Sequence, residues 1–63
     1  MLEGEARIRI VLAEDDDNAR AILVELLASF GHDVVDGVAC GRDAVDRARE
    51  LSPDVVLLDV RMP

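Results

Sequence analysis

The chain has 63 residues, with 14 Asp or Glu against 7 Lys or Arg, and a formal net charge of -7 at pH 7. A chain of this length forms at most one small domain and buries too little surface to be comfortably stable alone. The acidic balance argues against a nucleic-acid or anionic-membrane surface, because both are bound by clusters of Lys and Arg. With a single cysteine, Cys40, it can form neither an internal disulfide nor a Cys-based zinc site.

The distribution of apolar residues excludes a membrane protein and favours an α/β domain. No apolar run approaches the roughly 20 residues that span a bilayer, and the acidic start of the chain lacks the basic and apolar regions of a signal peptide. Phe30 is the only aromatic residue, so the core must be aliphatic. We therefore expect a cytoplasmic domain that makes no membrane contact.

The first two elements differ in hydrophobic period. Residues 8–13 are short, β-branched and nearly all apolar, which predicts a strand buried on both faces over about residues 7–14. Apolar side chains then recur at spacings of three and four, which predicts a helix over about residues 18–30 that ends at Gly31. Its apolar stripe comprises Ala19, Ile22, Leu23, Leu26, Leu27 and Phe30.

The alternation of strand and helix continues to the third strand. Residues 33–39 are rich in Val but broken by polar residues, which is typical of a strand near a sheet edge. Helical spacing predicts a second helix over about residues 41–51, stopped by Pro53, and an apolar run predicts a third strand over about residues 54–60. Such alternation predicts right-handed βαβ units and a parallel sheet.

Both strongly apolar strands end at acidic residues, the first at Glu14, Asp15, Asp16 and Asp17 and the third at Asp59. Because ligands of an open parallel sheet bind beyond the carboxyl ends of its strands, we expect several of these carboxylates to lie close together. Crowded carboxylates repel one another, and Mg²⁺ relieves the repulsion through one or two carboxylates plus waters and phosphate oxygens. A metal held there also prepares an Asp oxygen to attack phosphorus.

Each acid also has a structural explanation. Capping and the helix dipole favour acids at a helix start, and we assign Asp16 and Asp17 to that role. Asp59 continues an apolar run, where desolvation costs on the order of several kcal/mol unless it is compensated, although a turn or N-cap role is its structural alternative. For Arg20 we expect a surface ion pair with the neighbouring acids, the sharper alternative being a phosphate contact.

Two segments resemble the receiver domain of two-component response regulators. One is the acid pair that closes the first strand, Ala13-Glu14-Asp15-Asp16, and the more specific one is the apolar strand that ends in Asp-x-x-Met-Pro at residues 59–63. The resemblance extends from about Arg7 to Pro63. It implies a truncated flavodoxin-like, doubly wound parallel sheet with strand order 2-1-3, in which residues 1–63 are the N-terminal half of a single receiver domain.

The resemblance also implies roles for the acids. Asp59 would receive a phosphoryl group from a sensor histidine kinase or a small phosphodonor. Asp15 and Asp59 would bind Mg²⁺ directly, Glu14 would act largely through water, and the backbone carbonyl of Arg61 would supply a further ligand. The chain would then be a phosphoacceptor rather than a conventional enzyme, catalysing its own phosphoryl transfer when completed by the other half of the domain.

Departures from the family pattern leave two alternatives. Cys40 stands where receivers often carry a capping Asn, Ser or Asp. The sequence has no Lys, and the family's phosphoryl-contacting Lys and Ser or Thr belong to later strands. An exposed third strand could pair with a strand of another chain, so the first alternative is a fragment that self-associates without phosphotransfer. The more remote alternative is an Asp-dependent phosphohydrolase. Such enzymes carry an Asp-x-Asp signature, which Asp15-Asp16-Asp17 matches only formally.

Overall fold

The computed structural model describes residues 7–59. They form, in chain order, β1 (Arg9–Ala13), α1 (Asp17–Ser29), β2 (Asp33–Val38), α2 (Gly41–Leu51) and β3 (Val55–Leu58). The strands are parallel and form one sheet in the order β2-β1-β3, which confirms the predicted α/β architecture and the strand order 2-1-3. The predicted element ends agree with these bounds to within about two residues, and the predicted end of the third strand at residue 60 lies outside the described residues.

The strand order explains why the two helices lie on opposite faces of the sheet. The chain moves from β1 to β2 in one direction and then crosses back over β1 to β3, so two right-handed crossovers place α1 and α2 on different sides. On one face, fully buried Ala44 of α2 packs with Val11 and Ala13 of β1. On the other face, Leu27 of α1 and Leu12 of β1 line the same cavity.

β1 is the buried centre of the fold. Ile10, Val11, Leu12 and Ala13 are each at most 4% exposed, as predicted for a strand covered on both faces. Since β1 pairs with β2 on one side and with β3 on the other, the residue that follows it lies between the ends of two neighbouring strands. That residue is Glu14.

β3 is much less covered than β1 although its sequence is equally apolar. Its four residues are between 37% and 54% exposed, with Leu58 the most exposed. Within residues 7–59, β3 pairs with β1 and forms an outer edge of the sheet. The fold therefore presents an apolar strand at that edge.

The apolar stripe of α1 is divided between the sheet and solvent. Leu27 is half-buried, whereas Ile22 and Phe30 are 64% and 66% exposed, so only part of the predicted stripe is covered by the sheet. Val24, outside that stripe, approaches β2 instead: a Cβ placed on Gly37 would lie 3.4 Å from Val24 Cγ2. The helix thus lies over the β2 side of the sheet.

The ends of α1 follow from local chemistry. Asp16 has an extended backbone and is the N-cap, and its carboxylate accepts a hydrogen bond from the Ala19 N–H at 3.3 Å. Asp17 is the acidic residue of the first turn, so both acids occupy the helix-start positions predicted for them. After the C-cap Phe30, Gly31 adopts a φ of +90°, a conformation that favours glycine and ends the helix.

α2 is fastened to β2 by an ion pair. Arg47 Nε donates to Asp36 Oδ2 at 2.6 Å, and Arg47 Nη1 donates to Glu50 Oε1 at 2.7 Å. These hydrogen bonds raise the pKa of the Arg47 guanidinium above its ordinary value, and the bond to Asp36 has the largest effect. The N-cap of α2 is Cys40, whose side chain makes no capping hydrogen bond.

In the described part of the chain, neither helix has the length and apolar character needed to cross a bilayer.

Candidate functional site

Acidic side chains from two strands meet in a cavity at the carboxyl edge of the sheet. The cavity has a volume of about 360 Å³ and is lined by Ala13, Glu14, Asp15, Ala39, Gly41, Leu58 and Asp59. The three residues predicted as side-chain ligands therefore line one cavity, two that follow β1 and one that follows β3. The predicted carbonyl ligand, Arg61, lies outside the described residues.

Sheet pairing fixes the backbone of these acids relative to one another. Ala13 pairs with Leu58, and the N–H of the next residue, Asp59, donates to the Ala13 carbonyl at 3.1 Å. On the other side, the N–H of Glu14 donates to the Val38 carbonyl at 2.9 Å. The two acidic ends are thus held by hydrogen bonds that continue the sheet.

Glu14 differs from the other acids of the cavity because it is buried. It is 3% exposed, and its Oε2 accepts a hydrogen bond from the Asp16 N–H at 2.9 Å. Buried carboxylates need such partners, and this one ties the end of β1 to the turn that begins α1. Glu14 also lines a second cavity of about 280 Å³ on the α1 side of the sheet, together with Asp59.

Asp15 and Asp59 are exposed, so a solute can reach them from solvent. Their carboxylates border the same cavity as the buried Glu14. The site therefore combines two accessible carboxylates with one whose Oε2 is engaged by the backbone. Such a division allows different roles for acids that are adjacent in sequence.

The donor set of the cavity fits a hard cation that needs few protein ligands. Its acidic side chains offer only carboxylate oxygens, which suit Mg²⁺, and Mg²⁺ usually keeps several of its waters. Among residues 7–59, no three His, Cys, Asp or Glu side chains are grouped to hold a metal ion. The described carboxylates therefore do not form a three-ligand cage by themselves.

Arg20 has a second contact that sequence reasoning missed. Its Nη2 donates to Asp17 Oδ1 at 2.6 Å, which confirms the predicted ion pair. Its Nη1 also donates to the backbone carbonyl of Glu14 at 2.9 Å. The direction of that carbonyl depends on the course of the turn between β1 and α1, which hydrophobic spacing does not reveal. The only sequence signal for this contact was the position of Arg20, one turn into a helix that follows an acidic turn.

Comparison with known families identifies the family of this fold. The family described as Response regulator receiver domain matches residues 10–63. The chain belongs to the response regulator receiver family. The matched range begins at the second residue of β1 and includes the other four elements, and it confirms the resemblance drawn from the Glu14-Asp15 and Asp-x-x-Met-Pro segments. The receiver domain is a phosphoacceptor signalling module of two-component systems.

Relatives carry similar segments within longer proteins. The response regulator GacA of Pseudomonas aeruginosa is 44% identical over 57 residues, which cover 89% of this chain and 27% of GacA. A protein-glutamate methylesterase/protein-glutamine glutaminase of Archaeoglobus fulgidus is 38% identical over 56 residues, 89% of this chain and 16% of that protein. The transcriptional regulatory protein PdtaR of Mycobacterium tuberculosis is 38% identical over 55 residues, 87% of this chain and 27% of PdtaR. The receiver chain thus spans about a quarter or less of the length of these relatives.

Proposed function

We propose that this receiver domain accepts a phosphoryl group on Asp59, either from the phosphohistidine of a sensor histidine kinase or from a small phosphodonor. The observation that carries the proposal is the shared cavity of about 360 Å³, in which exposed Asp59 lies with Asp15 and buried Glu14. Family membership supports phosphoacceptor signalling in general, and the choice of Asp59 is our assignment. Its position at the end of a strand leaves it accessible to a donor.

The proposed reaction is a single phosphoryl transfer. A carboxylate oxygen of Asp59 attacks the phosphorus atom of the donor, and a P–O bond forms as the bond from phosphorus to the donor nitrogen or oxygen breaks. The leaving group keeps the bonding electrons: an imidazole nitrogen takes a proton from solvent, whereas the carboxylate released from an acyl phosphate stays ionised. The product is an aspartyl phosphate, and no atom changes oxidation state.

We propose that the same cavity holds Mg²⁺. Asp15 and Asp59 would bind it directly and Glu14 through water, which accords with the hydrogen bond that already engages Glu14 Oε2. The backbone carbonyl of Arg61 is proposed as a further ligand. When bound, the ion supplies positive charge that offsets the incoming phosphoryl group. The proposal is supported by the position of Glu14, Asp15 and Asp59, which all line the cavity at this edge of the sheet.

Family membership also supports inferences about the extent of the domain and its location. We infer that residues 1–63 correspond to the N-terminal half of a single receiver domain, since the family fold has five βα units and the described residues supply three strands and two helices. We also infer a cytoplasmic location, where a sensor kinase would present its phosphohistidine. The net charge of -7 supports a segment that makes no direct contact with nucleic acid.

Labelling with a small acyl phosphate in the presence of Mg²⁺ tests the acceptor. We expect the wild-type chain to gain the mass of one phosphoryl group, in a linkage that hydroxylamine cleaves, and Asp59→Asn to gain none. Asp46→Asn is the matched control, because it removes an exposed carboxylate of α2 that does not line the cavity, and it should label like the wild type. Equal labelling of Asp59→Asn would refute Asp59 as the acceptor.

The exposure of β3 favours a second candidate, in which the chain self-associates without phosphotransfer. Its four apolar residues are 37–54% exposed at an edge of the described sheet. The sequence contains no Lys, the residue type that neutralises the phosphoryl group in the family. A wild-type chain that forms oligomers and takes no label under the conditions above would favour this candidate.

A further inference from the structure

We propose that Arg20 is a positioning residue for Asp15. By holding the Glu14 carbonyl, Arg20 fixes the peptide unit that leads into Asp15 and so sets where that carboxylate stands in the cavity. The inference rests on the proposed Mg²⁺ site and adds to it a residue that does not line the cavity.

A single peptide unit links the Arg20 contact to Asp15. The carbonyl oxygen of Glu14 lies in the same rigid plane as the nitrogen and Cα of Asp15. Arg20 Nη1 donates to that oxygen at 2.9 Å, in a partly buried setting, while the Glu14 N–H donates to the Val38 carbonyl. Both backbone polar groups of Glu14 are therefore held, and the orientation of the plane that starts Asp15 is restrained.

The ion pair with Asp17 orients the guanidinium of Arg20. Asp17 is 87% exposed, and an ion pair with so exposed a partner contributes little stability. Its geometric effect is larger, because the guanidinium is planar: with Nη2 anchored on Asp17 at 2.6 Å, Nη1 is directed at the Glu14 carbonyl. A Lys ammonium has no such fixed fork.

The aliphatic stem of Arg20 lies close to β2. The side chain is only 24% exposed, and a Cβ placed on Gly37 would lie 3.6 Å from both Cγ and Cδ of Arg20. The stem therefore crosses β2 at a residue that has no side chain, where it packs on the sheet while its head reaches the turn. One side chain thus joins the end of β1, the first turns of α1 and the surface of β2.

Mg²⁺ affinity tests the inference without measuring phosphotransfer. The dissociation constant would be measured by titrating the backbone amide resonances of the wild type, Arg20→Gln, Arg20→Lys and Arg49→Gln. Arg49→Gln is the charge-matched control, since Arg49 lies in the last turn of α2, at the opposite end of the sheet. We expect Arg20→Gln and Arg20→Lys to raise the dissociation constant by about tenfold, a typical loss for a residue that orients a metal ligand. An Arg20→Gln value equal to that of Arg49→Gln would overturn the inference.

Hydrogen exchange without Mg²⁺ separates a failure of this inference from a failure of the proposed function. The reporter is the Asp16 N–H, which is bonded to Glu14 Oε2, and the Leu12 amide of the central strand corrects for global stability. Relative to Leu12, the Asp16 amide should exchange faster in both Arg20 variants than in Arg49→Gln. If the wild type binds no Mg²⁺, the metal site is refuted, and the exchange rates alone decide: equal rates in Arg20→Gln and Arg49→Gln reject the positioning role.

Discussion

The backbone N–H of Asp59 donates a hydrogen bond to the carbonyl of Ala13 at 3.1 Å. This bond extends the pairing of β1 and β3 one residue beyond Leu58, the last residue of β3, and brings Asp59 level with the acids that follow β1. Because side chains alternate between the faces of a strand, a slip of one residue would turn Asp59 to the other face. The candidate site therefore depends on the sheet register as much as on the turns.

Removing the cap of α1 should weaken the fold. Asp16→Ala deletes the carboxylate that accepts from the Ala19 N–H, and we expect a loss of about 1 kcal/mol in the free energy of unfolding. Urea denaturation followed by circular dichroism measures the change. Asp16→Asn is the control, since an amide oxygen can still accept that bond and should retain most of the stability. Equal stability of the Ala and Asn variants would contradict the capping role.

Supplying the cap that α2 lacks should strengthen the fold. Cys40 has the extended backbone of an N-cap, with φ -147° and ψ 165°, but its side chain makes no capping hydrogen bond. Cys40→Ser places a hydroxyl there, and we expect a gain of about 0.5–1 kcal/mol relative to Cys40→Ala. The same denaturation measurement compares the two variants, and a Ser variant no more stable than the Ala variant would count against this account.

The features predictable from the sequence are those that depend on local periodicity. The apolar run before Glu14 and the one before Asp59 both proved to be strands, and the strand order followed from the family resemblance. The two acids came to one cavity because parallel strands end at the same edge of a sheet. Asp16 was recognised as a helix-start residue because capping is local chemistry.

The features that were not predicted depend on neighbouring elements. Helical spacing marked Ile22 and Phe30 as apolar, but it could not show that they would be exposed while Val24 lay against β2. The sequence predicted only a surface ion pair for Arg20. Its contact with the Glu14 carbonyl was missed because that contact depends on the path of the turn. Spacing along a helix defines its faces, whereas the packing partner of each face is set by the tertiary structure.

The ion pair between Arg47 and Asp36 should couple α2 to β2. A double-mutant cycle with Arg47→Gln and Asp36→Asn, read out as thermal midpoints, is expected to give a favourable coupling that shrinks as NaCl is added, since both side chains are partly exposed. The pKa of Arg47 is raised in the folded state, so its contribution to stability is fully present below its ordinary pKa and is lost only as pH rises through the higher folded value. The Arg47 contribution should therefore not change across the neutral range. A coupling of zero at low salt would contradict this role.

Substitutions at Gly37 should report how closely α1 approaches the sheet. The Cβ of Gly37→Ala would meet Val24 Cγ2 at 3.4 Å, an ordinary contact, and the loss of chain flexibility in the unfolded state should stabilise the fold by about 0.5 kcal/mol. Gly37→Val adds two methyl groups against Val24 and the Arg20 stem, and overpacking of this kind costs about 1–3 kcal/mol. Urea denaturation of both variants tests the contrast, and a Val variant as stable as the Ala variant would show that α1 lies farther from β2.

The exposed edge strand should make the 63-residue chain self-associate. β3 offers four apolar residues and, along its outer edge in the described part of the sheet, backbone groups available for pairing with another chain. We expect size-exclusion chromatography with light scattering to give a mass that rises above the monomer with concentration. A well-folded monomer at every concentration would contradict the prediction.

A charge on β3 should reverse that association. Val56→Lys places an ammonium on the edge strand, where Lys opposes edge-to-edge pairing, and it should shift the mass towards the monomer. Val45→Lys is the matched control, because Val45 is an exposed valine, 50% against 39% for Val56, but lies on α2. If association used apolar surface in general, both substitutions would weaken it equally. A loss confined to Val56→Lys assigns the contact to β3, because the two variants carry the same added charge and differ only in the surface that bears it.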